Sequence, residues 1–86
     1  RETNTEILIY EIKPFESGYA CIRDGIGQLL DYSHQQKSRK EKRIFIVGPN
    51  EPEQHDIDFI NAIKNVLQIP FGYIAFDELN LIAKEF

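Results

Sequence analysis

Four consecutive apolar residues, Ile44-Phe45-Ile46-Val47, halted by Gly48-Pro49, set the strongest limit on the fold. Strand side chains alternate between faces, so a run apolar at every position is apolar on both and belongs to a strand inside a sheet. Upstream, Lys37-Ser38-Arg39-Lys40-Glu41-Lys42-Arg43 is too polar for a core element and reads as a basic loop.

The remaining elements follow from spacing. Glu6 to Lys13 is rich in β-branched and aromatic residues and closed by Pro14, which predicts a strand. Ile22, Ile26, Leu29 and Leu30 recur at helical spacing and predict a helix from about Ala20 to Gln35. Asn50 is placed as the cap of a second helix, with Glu51, Glu53 and Asp56 in its first turns and Ile57, Ile60, Ile63 and Leu67 on its buried side. Pro70 ends that helix and Gly72 to Phe76 reads as a third strand; Leu79 to Phe86 is either its hairpin partner or a short terminal helix. The order β-α-β-α-β predicts an α/β fold, at least partly parallel, with right-handed crossovers.

A chain of 86 residues holds one small domain, or part of one. No segment has the length of a membrane span or the apolar core of a signal peptide, and no membrane partner is expected. Cys21 is the lone cysteine, which excludes an internal disulfide and points to a reducing cytoplasm. The net charge of -4 argues against a general nucleic-acid coat, while leaving room for an enzyme that touches DNA locally. No Met occurs, so either the initiator has been lost or the sequence begins within a longer product; the second is the expectation, with the chain as the C-terminal portion of a larger domain.

The residues that carry chemistry lie near the first strand's end. Glu11 and Lys13 share one strand face, about 7 Å apart at Cα, so a carboxylate and an ammonium can address one phosphate. A hard cation such as Mg²⁺ or Mn²⁺ takes oxygen ligands, here Glu11 and the backbone carbonyl of Ile12. A lysine beside it can orient or deprotonate water, or counter charge developing on phosphoryl oxygens. On the next helix Gln28 and Tyr32, four residues apart, stack on one flank of the apolar stripe. Gly25 and Gly27 in that helix weaken it and demand a reason, such as the close approach of another backbone or a substrate.

Tyr10-Glu11-Ile12-Lys13 followed by Ile22-Arg23-Asp24-Gly25-Ile26-Gly27-Gln28-Leu29-Leu30-Asp31-Tyr32 resembles the PD-(D/E)xK, or restriction-endonuclease-like, nucleases. Glu11 and Lys13 match the Glu-x-Lys half-motif, and Gln28 and Tyr32 match a Gln-x-x-x-Tyr helix motif of several branches. The resemblance implies a mixed sheet flanked by helices, a Mg²⁺- or Mn²⁺-dependent nuclease activity, DNA as substrate and these four side chains as the catalytic set. It also implies another acidic ligand on a preceding strand, which this chain lacks; Glu2 and Glu6 point to the wrong face. A missing upstream segment, a partner subunit or second copy supplying it, or a site without catalysis each fits that departure.

Other candidates are weaker. Arg23, Lys37, Arg39 and Lys40 are placed as phosphate contacts, although solvated positions account for them better. Cys21 has no base within reach on its own helix, since His34 lies nearly 20 Å along it, and cysteine catalysis is set aside. Val47 to Pro52 lacks the glycines and lysine of a phosphate-binding loop and reads as a capping turn. The rival to the nuclease is a non-catalytic module docking a protein or nucleic acid.

Overall fold

The computed structural model describes residues 1–86. Its elements are β1 (Glu6–Ile12), α1 (Gly18–Gln35), β2 (Glu41–Gly48), α2 (Gln54–Val66), β3 (Phe71–Asp77) and β4 (Ile82–Glu85). They form one mixed sheet in the order β1-β2-β3-β4, with the first three strands parallel and β4 antiparallel to β3. The architecture is thus α/β, and β2 lies inside the sheet as its unbroken apolar run requires.

Both helices cover the same face. Cys21, Ile22 and Leu29 of α1 and Ile60 of α2 share one core with Ile44, Ile46, Phe71, Tyr73 and Ala75. Tyr10, Ile12, Phe45, Val47, Ile74 and Phe76 alternate to the other face, which carries no helix. Phe45 is buried there beneath Tyr10, stacked at 5.2 Å between centroids, and Arg43, whose guanidinium lies 5.3 Å above its ring.

Local polar groups fix the helix ends. The Ser17 hydroxyl accepts the Ala20 N–H at 3.1 Å and starts α1 at Gly18, two residues before the sequence estimate. Asn50 does not cap α2. Its side chain donates to the Glu16 carbonyl and its own carbonyl accepts the Tyr73 hydroxyl, so the chain runs on to Glu53 before turning helical. Asp56 is almost wholly buried and serves both helices, accepting the Tyr19 N–H at the start of α1 (2.8 Å) and the Glu53 N–H at the start of α2 (2.9 Å). Each is an orphan donor of a helix N-terminus, where a carboxylate is favoured.

The basic loop is shorter than its composition implies. Glu41, Lys42 and Arg43 belong to β2, paired with Glu6, Ile7 and Leu8, because a strand end tolerates long charged side chains that reach water. Lys40 is held by the Glu2 carboxylate and the Thr3 carbonyl, both at 2.7 Å, and this pairing keeps Glu2 ionised below the usual carboxylate range. Lys42 donates to the Ser33 and Gln36 carbonyls at the C-terminus of α1, where a cation suits the helix dipole. The C-terminal segment resolves into a hairpin partner. Asp77 accepts the Leu79 and Asn80 N–H groups and the Asn80 amide, which lowers its carboxyl pKa, and Leu81 turns the chain at φ 56°.

No helix is long and apolar enough to cross a membrane.

Candidate functional site at the carboxyl end of β1

In open α/β sheets ligands collect outside the carboxyl ends of the parallel strands. Glu11 and Lys13 stand at that end of β1, on the face covered by α1. The Lys13 ammonium lies 2.9 Å from an Asp24 oxygen and 3.5 Å from a Glu11 oxygen. Lys13 and Glu11 are largely sheltered, with side chains 13% and 19% exposed, whereas Asp24 is half open to solvent. The short contact to Asp24 raises the Lys13 pKa above its ordinary value, against a partial desolvation.

Gly25 makes this packing possible. A Cβ there would come 2.7 Å from Ile46 Cδ1 and 3.2 Å from both Glu11 Cγ and Lys13 Cε, so α1 rests its bare backbone on the stems of the two charged residues. Gly27 has nothing within 4 Å of such a Cβ, and no packing requirement explains it. Of the two glycines, only Gly25 answers to a close approach.

Gln28 and Tyr32 are both exposed and make no side-chain hydrogen bond within the chain. They continue a row at four-residue spacing that begins with Asp24. The row occupies the flank of α1 turned away from α2, whose Phe59 instead meets Tyr19 on the opposite flank at 4.7 Å. Gln28 stands about 6 Å along the helix from Asp24 and Tyr32 about 12 Å. Asp24 is therefore the member of the site that sequence reasoning missed, and the signal was its place four residues before Gln28.

The free edge of β1 adjoins this flank. Lys13 donates its N–H to Val47 on β2, so by strand alternation the Ile12 carbonyl points to the free edge. The Ile12 side chain projects to the uncovered face and is 74% exposed. The Arg1–Thr3 segment folds back along the first half of that edge, pairing Arg1 with Leu8 and Thr3 with Glu6, and stops short of Tyr10 and Ile12. The donor set here suits a hard cation: the Glu11 carboxylate and the Ile12 carbonyl, both oxygen ligands. No three His, Cys, Asp or Glu side chains converge into a metal cage.

The proposed phosphate contacts separate into two groups. Arg23 is exposed on α1 next to Asp24, lining a surface hollow with Phe15, Tyr19 and Ala20. Lys37, Arg39 and Lys40 lie beyond the opposite end of β1, since Glu41 pairs with Glu6, and Glu6 is about 16 Å along the strand from Glu11. They cannot reach a phosphate placed at Lys13, and Lys40 is already engaged. Cys21 is wholly buried, directs its thiol to the Phe15 carbonyl at 3.2 Å, and has its pKa pushed up by burial. Gly48 seats the Tyr73 hydroxyl where a Cβ would collide with it, so the loop after β2 is shaped by packing.

Neither family models, nor curated proteins, nor solved structures give a match to this chain.

Proposed function

We propose that the chain carries the site of a PD-(D/E)xK-type nuclease, hydrolysing DNA phosphodiesters with Mg²⁺ or Mn²⁺. The observation that supports this most is the sheltered Glu11–Lys13–Asp24 cluster at the carboxyl end of β1. A purely superficial ion pair would not require a glycine on the covering helix to accommodate both stems. Glu11 and the Ile12 carbonyl would hold the ion, with water and substrate oxygens completing its shell. A bound ion of this kind supplies Lewis-acid polarisation and a more acidic water. Lys13 contributes a fixed positive charge for phosphoryl oxygens, and Gln28 and Tyr32 offer hydrogen-bonding groups along the path of the strand. Arg23 can add a phosphate contact from the same helix. Any further acidic ligand would come from an upstream segment, a second copy or a partner subunit.

A non-catalytic docking module is the second reading, favoured by the uncovered apolar sheet face, where Tyr10 is 40% and Ile12 74% exposed. The two are separated by incubating labelled single- and double-stranded DNA with Mn²⁺, with and without chelator, for the wild type and Lys13→Ala. Chelator-sensitive cleavage that the substitution abolishes supports the nuclease. Absence of cleavage by the wild type removes the claim that this chain is itself an active nuclease and leaves an incomplete fragment or the docking module.

A further inference from the structure

Lys13 has a flexible four-carbon stem, and a lysine used in catalysis loses rate whenever its ammonium wanders from the reacting phosphate. Two things restrain it here. Gly25 lets the α1 backbone close over Cε, and Asp24 takes the ammonium at 2.9 Å from the solvent side. Glu11, at 3.5 Å, is the more distant partner, which leaves its carboxylate available for another cation. An ammonium has three N–H donors, so this arrangement keeps at least one for a substrate oxygen.

Asp24 differs from the other acids paired with lysines. Glu2 and Glu51 hold Lys40 and Lys84, whose side chains are 31% and 63% exposed, far from Glu11. Asp24 and Glu11 both reach a lysine that is 13% exposed, and Asp24 is the nearer of the two and does so from the head of the row that continues through Gln28 and Tyr32. Resting on the nuclease reading above, we propose that Asp24 is a positioning residue, holding the Lys13 ammonium over the phosphate site while leaving Glu11 free for the metal ion. Asp24 touches neither substrate nor ion in this role and acts through Lys13.

The test is steady-state cleavage of labelled DNA with Mn²⁺ by the wild type, Asp24→Asn and Asp24→Glu, with thermal midpoints measured on the same samples. Asp24→Asn, which keeps the shape and removes the charge, is expected to lower kcat about 10- to 100-fold with KM changed less than about threefold, at an unchanged midpoint. Asp24→Glu, which restores the charge on a longer arm, is expected to recover at least part of the lost kcat. Wild-type kcat in Asp24→Asn, or a loss confined to KM, overturns the positioning role while the nuclease reading stands. A wild type without activity overturns both.

Discussion

The two ends of the sheet both carry lysines, yet they use them differently. At the amino end, Lys40 ties down the Arg1–Thr3 segment and Lys42 caps the C-terminus of α1, so each ammonium is spent on backbone carbonyls or an exposed acid. At the carboxyl end, Lys13 is sheltered between two carboxylates beneath a helix that gave up a side chain to reach it. Charge density alone is a poor guide to a site: the basic-looking stretch is the structural one, and the acidic-looking end holds the candidate chemistry. What distinguishes them is which groups the ammonium faces and whether packing holds it there.

The sharpest way to break this contrast is to remove one lysine from each end. Lys13→Ala is expected to reduce Mn²⁺-dependent cleavage by at least about 100-fold with little effect on folding. Lys42→Ala should leave cleavage within about twofold and lower stability by about 1 kcal/mol, by denaturant titration, because two carbonyls at the end of α1 lose their donor. Equal losses of cleavage in both variants would erase the distinction.

Asp56 supplies the next largest effect. It joins the N-termini of α1 and α2, the first of which is the helix that covers Glu11 and Lys13. Asp56→Ala leaves two orphan N–H groups and should cost about 2–4 kcal/mol in chemical denaturation, with Asp56→Asn costing less.

The glycines sharpen the same comparison. Gly25→Ala forces a methyl against Ile46 and the stems of Glu11 and Lys13, and should destabilise by about 1–3 kcal/mol. Gly27→Ala meets open space and should stabilise by about 0.5–1 kcal/mol through helix propensity. Opposite signs from two glycines two residues apart would place the constraint at the site and not in the helix as a whole.

A smaller, pH-dependent effect comes from the packed base of the carboxyl end. Burial raises the pKa of both Cys21 and Tyr73, so the native state keeps both protonated where the unfolded chain has begun to ionise. Their contribution is fully present below the unfolded values and lost as pH rises toward the folded ones. Stability should therefore be level from neutral pH to about pH 8 and decline above about pH 9, by up to roughly 1.4 kcal/mol per pH unit for each group. Cys21→Ala should remove the earlier part of that decline.

Much of this was legible in the sequence because it is local. The run Ile44–Val47 gave an interior strand, the alternation of Glu6–Lys13 placed Glu11 and Lys13 on one face, and helical spacing located both helices. The errors arose where a distant partner decides. Asn50 has strong capping propensity, but Tyr73 and Glu16 claim its groups first. Glu41–Arg43 look like loop until β1 is placed alongside them. The C-terminal hairpin lacks a decisive period, and its strand exists through pairing with β3. Asp24 lies within the motif with no role that the sequence assigns, since its meaning depends on Lys13, which only the fold brings within reach.

The most direct measurement is an NMR titration of the ¹⁵N-labelled protein with Mn²⁺, read as paramagnetic broadening of assigned amides. An ion held by Glu11 and the Ile12 carbonyl broadens Glu11, Ile12, Lys13, Asp24 and Gly25 at the lowest metal ratios, spares Lys37 to Lys42, and loses that pattern in Glu11→Gln. Broadening centred on the acidic stretch from Glu51 to Asp58, or an unchanged pattern in Glu11→Gln, would contradict a metal-dependent site at the end of β1.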